Sequence, residues 1–161
     1  MTRTISRVAA AAGFGLAVAS TLLAGGFWLE VGNPKAASDP KAREAVLVVR
    51  PIGCGEPTKA RISGTAEGLV NGRRQSVPLR MVPLSQPALY AVHRTWPQEG
   101  VWMLALTGSY DGHFTSALAP MGPEGLDRKA VKLVGRKPTA AEIDDGLRAL
   151  AAGSPPVRVT D

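Results

Sequence analysis

Residues 101–107 read VWMLALT, and this stretch decides the fold class. Successive side chains of a β-strand point to opposite faces, so Trp102, Leu104 and Leu106 share one face. The residues between them give a second face that is equally apolar. A strand with two apolar faces is typically buried on both sides. The stretch therefore predicts a central strand in a sheet that is covered on each face.

Shorter β-like runs lie on either side of this strand. Ala45 to Arg50 reads AVLVVR, which favours a buried strand because it is almost wholly apolar and β-branched. Lys59 to Ala66 alternates polar and apolar residues, as an antiparallel strand with one wet face does. Val77 to Leu84 contains two prolines, which place it at a sheet edge because proline donates no hydrogen bond to a ladder. Further strands are predicted at Ala88–Thr95, His113–Ala119 and Ala130–Val134.

Turn signals separate these runs. Asn71-Gly72 and Asp111-Gly112 are dipeptides that accept the positive φ of tight hairpin turns. Residues 96–100, WPQEG, are predicted to form a hairpin-like connection before the central strand. About seven short strands at this spacing predict a mainly β domain over residues 45–136, an antiparallel β-sandwich of immunoglobulin-like or transthyretin-like type. An open barrel is the alternative.

Residues 137–153 are predicted to contain one C-terminal helix, and residues 154–161 form a tail. Thr139 and Glu142 have the spacing of a capping box, in which each side chain binds a backbone N–H that helix geometry leaves free. An apolar stripe at helical spacing consists of Ile143, Leu147 and Leu150. The stripe predicts that the helix covers part of the sheet or one open end of the domain.

Residues 1–29 have the pattern of a membrane-targeting segment. Arg3 and Arg7 precede the uncharged run Val8–Leu29, and a positive start followed by an apolar stretch is the secretory pattern. The run has 22 residues, which is long enough for an uncleaved transmembrane anchor. Small residues at the −3 and −1 positions also suit a signal peptide that is cleaved before Phe27. Both alternatives stay open.

Either form of the segment places the rest of the chain outside the cytoplasm. The domain is anchored in the inner membrane and faces the periplasm, or it is secreted to the periplasm after signal cleavage. Phe27 and Trp28 lie where the aromatic belt of a membrane interface would be. Residues 30–44 carry Pro, Ser and alternating charge without an apolar period, which predicts a linker.

Basic residues outnumber acidic ones, with 19 Lys and Arg against 13 Asp and Glu and a net charge of +6. The excess is concentrated between Lys41 and Arg94. A basic face attracts anionic lipid headgroups or an acidic protein, and an ordinary solvated surface is the alternative. Nucleic acid is not an expected partner, because an exported domain seldom meets it and no aromatic residues interleave with these charges.

The sequence has no motif for phosphate binding, hydrolysis or zinc coordination. No enzymatic activity and no cofactor are therefore predicted. The alternative function is periplasmic copper handling, because imidazole and thioether groups suit copper. The metal ligands would be His93, His113, Cys54 and Met121. Without a metal, the lone Cys54 is expected as a small buried residue or as one half of an intermolecular disulfide.

Aromatic and basic side chains also predict a binding patch. The candidate residues are Trp96, Tyr90, Tyr110, Arg73 and Arg74. Trp96 precedes a proline in the predicted connection and is expected to be exposed, whereas Trp102 is expected in the core. An exposed aromatic rim of this kind takes up a sugar, a peptide or a lipid.

Residues 95–122 read TWPQEGVWMLALTGSYDGHFTSALAPMG. The order of Pro, Gly, a Trp-x-Leu-x-Leu strand and a small-residue strand resembles small exported bacterial immunoglobulin-like or transthyretin-like sandwich domains of uncharacterised function. The resemblance implies a β-sandwich that follows a signal peptide or a single anchor, and it implies no catalytic or ligand residue.

The sequence as a whole predicts a non-catalytic, extracytoplasmic binding or accessory module. One face of its sandwich would be presented to an extracytoplasmic protein partner or to a membrane surface. The N-terminal segment would hold the module at the membrane, and no small-molecule ligand is indicated by any motif.

Overall fold

The computed structural model describes residues 26–53, 55–122 and 125–153. Most of the predicted membrane-targeting segment, together with Cys54 and the predicted tail, lies outside these residues. Within the described ranges, no helix has the length and apolar character that a membrane crossing requires.

The described residues form a mainly β domain with antiparallel sheets and one α-helix. Its elements are β1 (Trp28–Gly32), β2 (Ala45–Ile52), β3 (Arg61–Val70), β4 (Arg73–Pro78), β5 (Arg80–Pro83), β6 (Tyr90–His93), β7 (Val101–Tyr110), β8 (His113–Gly122), β9 (Gly125–Leu126), β10 (Lys132–Val134) and α1 (Ala140–Gly153). One sheet has the order β1-β2-β6-β5, and the other has the order β10-β8-β7-β3-β4 with β9 paired to β8. Inward-facing residues of both sheets, such as Leu47 and Leu104, share one apolar core.

The prediction of a central strand at residues 101–107 is confirmed. Strand β7 lies between β3 and β8, and Trp102, Leu104 and Leu106 face the core between the two sheets. The opposite face of the strand carries Met103 and Ala105, which are buried because α1 covers them. Both faces of β7 are apolar because one packs in the core between the sheets and the other is covered by α1.

The predicted edge strand over residues 77–84 is present as two edge strands. Strand β4 is the edge of the larger sheet and ends at Pro78, and β5 is the edge of the smaller sheet and ends at Pro83. The chain passes between the sheets at Leu79, whose N–H donates to the carbonyl of Gly64 at 3.0 Å. Both prolines lie where the missing N–H removes no central ladder bond.

Both predicted tight turns are confirmed, and the predicted hairpin at residues 96–100 is wrong. Asn71-Gly72 and Asp111-Gly112 have φ values between 47° and 76°, as hairpin turns with two positive-φ residues require. Residues 96–100 instead join β6 in the smaller sheet to β7 in the larger one. Proline and glycine in a short segment indicate that the chain turns, but they do not show which sheet the next strand joins.

The capping box of α1 is confirmed in both directions. The N–H of Thr139 donates to Oε2 of Glu142 at 2.8 Å, and the N–H of Glu142 donates to Oγ1 of Thr139 at 3.2 Å. The guanidinium of Arg136 binds both carboxylate oxygens of Glu142 at 2.7 and 2.8 Å. The apolar stripe Ile143, Leu147 and Leu150 packs on Met103, Ala105 and Leu118. The helix therefore covers the outer face of the larger sheet.

The predicted boundary between membrane segment, linker and domain is wrong at residues 28–32. These residues form β1, which pairs with β2 from Trp28 opposite Ile52 to Gly32 opposite Val48. Leu29 is 1% exposed and belongs to the shared core. The sequence interpretation extended the apolar run to Leu29 because a buried core leucine and a membrane leucine have the same character.

The rest of the predicted linker lies against the smaller sheet as two short 3-10 turns, Pro34–Ala36 and Pro40–Ala42. The side chains of Asn33 and Asp39 cap these turns by accepting bonds from backbone N–H groups. Hydrogen bonds from the Ser85 and Lys41 backbones lower the pKa of Asp39. The domain therefore begins before Ala45, and this polar segment is part of it.

Candidate binding surfaces

The four predicted copper ligands do not converge. His113 and Met121 lie eight residues apart on the single strand β8, which separates them by about 27 Å at roughly 3.4 Å per residue. His93 lies in the other sheet, opposite Ala45 and Arg80, and Cys54 is outside the described residues. Ligands of one ion must meet within about 2.0–2.3 Å of it. The predicted four-residue metal site is therefore wrong.

Two of the four predicted ligands, Met121 and His93, are instead packed within the domain. Met121 is buried in the shared core, and His93 is half-buried at the end of β6. Across the described parts of the chain, no group of three or more His, Cys, Asp or Glu residues is placed to hold a metal ion. Sequence spacing could not show that His93 lies in the other sheet, because it gives the face of a strand but not the sheet to which the strand belongs.

Trp96 was predicted to be exposed, and the structure places it in the core. It is 4% exposed, and its ring centroid lies 6.3 Å from that of Trp102. The guanidinium of Arg94 lies over the Trp96 ring, 5.4 Å from its centroid. Trp96 is buried because the chain crosses from one sheet to the other at this point. Tyr90 is also half-buried against the core.

Arg74 joins α1 to the larger sheet. Its Nε lies 2.9 Å from Oδ1 of Asp144 on α1, and one terminal nitrogen lies 3.2 Å from Oε2 of Glu67 on β3. Glu67 is 8% exposed, and its Oε1 accepts bonds from the hydroxyls of Thr65 and Ser76. Glu67 is thus a buried carboxylate with several partners, and the charge of Arg74 is already neutralised.

Part of the basic excess is paired with acids within the domain. Arg50 pairs with Glu30, and Lys59 pairs with Glu56. Arg74 pairs with two acids as described, whereas its neighbour Arg73 is exposed at the start of β4. A cation count along the chain could not show the pairing of Arg50 and Arg74, because their acids Glu30, Glu67 and Asp144 come from other elements.

Tyr110 is the predicted binding residue that lies in a cluster of aromatic side chains. We define the aromatic end by Phe27, Trp28, Tyr110, His113 and Phe114. Tyr110 and His113 are partners across the β7–β8 turn. The ring of Phe27 packs on Tyr110 with 6.0 Å between centroids. A cavity of about 370 Å³ lies among the five side chains, and Gly26, Gly53, Gly55 and Gly135 also border it.

Glycine residues allow these aromatic rings to pack close to the backbone. Gly108 on β7 has no side chain, and a Cβ there would lie 3.0 Å from Cζ of Phe27 and 2.9 Å from Cδ2 of Leu29. Trp28 packs on Gly26, and its buried Nε1 has no hydrogen-bond partner among residues the structure describes. The first described residues are thus packed against the ends of both sheets.

Apolar and basic side chains are exposed in and beside the aromatic end. Phe114 is 40% exposed, and Ile52 opposite Trp28 is 38% exposed. The Nζ of Lys137 lies over the Phe114 ring, 4.4 Å from its centroid. Arg61, at the β3 end that pairs with Ser109, is exposed and has no ion pair within the described ranges. The apolar run indicates Phe27 and Trp28 as interfacial residues, whereas Phe114 joins them only through the fold, which brings β8 to them.

No family model, curated protein or solved structure matches this chain.

Proposed function

We propose that this chain is a non-catalytic, extracytoplasmic binding or accessory module of the membrane surface. Its N-terminal segment exports it and holds it at the inner membrane facing the periplasm, or is cleaved and releases it there. One observation carries the proposal: β1 begins at Trp28, inside the uncharged run Val8–Leu29, and the aromatic end surrounds that point. The domain therefore follows the membrane-targeting segment without a spacer.

The proposed fold type is a β-sandwich of the immunoglobulin-like or transthyretin-like kind. Two antiparallel sheets with one shared core support it, as do the many short strands and tight turns. The resemblance of residues 95–122 to small exported bacterial domains of that kind agrees with this arrangement.

The hydrogen bonds and ion pairs of three carboxylates support structural rather than catalytic roles for them. A catalytic base needs a reacting atom within reach in a cleft. Glu67 is instead enclosed by Thr65, Ser76 and Arg74 where the helix meets the sheet. Glu142 and Asp39 are occupied by capping bonds. Their partners give each of these three acids a structural role.

The partner surface favoured by the geometry is the membrane rather than a protein. Trp28 and Tyr110 have the amphipathic rings that are enriched at membrane interfaces. They lie beside the point where the chain leaves its apolar segment, and the exposed cations Arg61 and Lys137 lie at the same end. The other aromatic pair of the described residues, Trp96 and Trp102 at the opposite end of β7, is buried, with 4% and 3% of its surface exposed.

A topology reporter tests the export part of the proposal. Alkaline phosphatase fused after residue 161 is active only outside the cytoplasm, and green fluorescent protein fused there fluoresces only when it folds inside. We expect an active phosphatase and a dark fluorescent protein for the full chain. The matched control begins at Phe27 and should reverse both signals. An inactive phosphatase on a full-length, accumulated fusion would contradict the proposal.

The mass of the recovered protein then separates the two forms of the proposal. An anchored chain keeps residues 1–26 and stays with membranes during alkaline extraction. A cleaved chain begins at Phe27, and this residue still packs on Tyr110.

A further inference from the structure

We infer that the aromatic end contacts the headgroup region of a bilayer that contains anionic phospholipid, and that it orients the domain on the membrane. The inference deepens the proposed function and rests on it for the presence of a membrane beside Gly26. It names the occupant of an exposed apolar surface, the lipid interface, and the side chains that meet it.

The length of chain before the domain supports this occupant. Val8 to Gly26 are uncharged and number 19 residues. As a helix they would extend about 28 Å at roughly 1.5 Å per residue, close to the hydrocarbon thickness of a bilayer. No residues are left over for a spacer, because Phe27 already packs on Tyr110. The end of the domain that contains Gly26 must then lie at the interface.

The exposed groups of this end have the chemistry of that interface. Trp and Tyr rings are enriched at the headgroup level. Tyr110 and Trp28 are half-buried at the aromatic end, and the indole Nε1 of Trp28 is buried rather than exposed to water. Phe114 and Ile52 expose 40% and 38% of their surface beside them. Exposure of these apolar side chains to water is unfavourable. Contact with the upper acyl chains would remove their surface from water and lower the free energy.

The charges of this end favour anionic headgroups. Arg61 and Lys137 are exposed without an ion pair in the described part of the chain. Asp111 at the tip of the β7–β8 turn is an exposed carboxylate, and Glu56 is neutralised by Lys59 at 2.7 Å. This end therefore carries two unpaired cations and one unpaired carboxylate in the described part of the chain. Long cationic side chains can place their apolar stems along the rings and their charge among phosphates.

Tryptophan quenching by brominated lipid tests the inference. The full-length chain is reconstituted in vesicles of phosphatidylglycerol and phosphatidylcholine, with or without bromine on the upper acyl chain. Trp28→Phe removes the native reporter at this end, and Trp96 and Trp102 remain as a buried background at the other end of β7. A new tryptophan is then introduced by Phe114→Trp, or by Gln98→Trp at an exposed position before the start of β7.

We expect brominated lipid to reduce the added emission of the W28F/F114W variant and to leave that of W28F/Q98W unchanged. Equal quenching of both variants, or quenching of neither, would overturn the inference. The second of those results would leave the aromatic end free for a protein partner. Should W28F prevent folding, F114W and Q98W in the wild-type background are compared with the wild-type chain and give the same decision.

Alkaline washing of the same vesicles separates this inference from the proposed function. A chain that resists the wash but shows no quenching at position 114 is anchored, and only the orientation is overturned. A chain that is washed off, yet is quenched at position 114 at neutral pH, contacts lipid through the aromatic end without an anchor. That result supports the inference and contradicts the anchored form of the proposed function.

Discussion

Phe27 packs on Tyr110, with 6.0 Å between the ring centroids and 50° between the ring planes. This contact joins Phe27, near the end of the uncharged run Val8–Leu29, to the last residue of the central strand β7. The contact therefore joins the start of the described chain to the end of the strand that crosses the core.

Phe27→Ala should destabilise the domain. An aromatic pair contributes about 0.5–1.5 kcal/mol beyond its buried area, so we expect a loss of about 1–2 kcal/mol in the free energy of unfolding, measured by urea denaturation. Phe114→Ala is the matched control, because that ring is exposed and should change the free energy by less than about 0.5 kcal/mol. Equal effects of the two variants would show that the Phe27–Tyr110 contact does not stabilise the fold.

Gly68→Ala should destabilise the domain through overpacking of the core. A Cβ at Gly68 would lie 2.5 Å from ring carbons of Trp102, which is itself 3% exposed and cannot swing away. We expect a cost of about 1–3 kcal/mol in denaturant unfolding. Gly135→Ala meets nothing within 4 Å and serves as the control. A neutral Gly68→Ala variant would mean that Trp102 does not pack on β3 as described.

Arg74→Ala should loosen α1 from the larger sheet. The substitution removes the bond to Asp144 and leaves the buried Glu67 with two hydroxyl donors. Because Arg74 is partly exposed, we expect a moderate loss of about 1–2 kcal/mol and faster amide hydrogen exchange in α1. The adjacent, exposed Arg73→Ala should leave both measurements unchanged. Unchanged exchange in the Arg74 variant would contradict a role in attaching the helix.

Acid should weaken the helix cap within a defined pH range. The two hydrogen bonds from Arg136, and then the Thr139 backbone N–H, lower the pKa of Glu142 to about 2. Because this pKa is lower in the folded chain than the unfolded value of 4.5, the ionised carboxylate of Glu142 stabilises the fold above about pH 4.5. This stabilisation is lost as the pH falls toward about 2. Thermal unfolding of the wild-type chain and of Glu142→Gln should therefore differ most near pH 6 and converge near pH 2. A constant difference would contradict the carboxylate cap.

Local sequence rules predicted the parts of the fold that depend on neighbouring residues. The two-sided apolar pattern placed β7, positive-φ dipeptides placed two hairpin turns, and Thr139 with Glu142 placed the start of α1. The prolines placed β4 and β5 at edges. Each of these rules uses a property of one strand, turn or helix terminus, which is visible without knowing what packs against it.

The parts that sequence reasoning missed depend on contacts between distant elements. Alternation cannot show that Trp96 crosses between sheets into the core. The burial of Glu67 follows only once α1 covers its face of β3. Strand β1 was missed because Leu29 continues an apolar run, and the candidate aromatic end was missed as a unit because Phe27 and Phe114 are far apart in the chain.

Thiol labelling in spheroplasts tests the central claim that the domain lies outside the cytoplasm with its aromatic end at the membrane. In a Cys54→Ser background, one cysteine is introduced by Gln98→Cys or by Phe114→Cys, and a membrane-impermeant maleimide is added before or after detergent. We predict labelling at position 98 in intact spheroplasts, weak labelling at position 114, and equal labelling of both in detergent. Labelling of neither before lysis would contradict export, and equal labelling of both in intact spheroplasts would contradict the orientation.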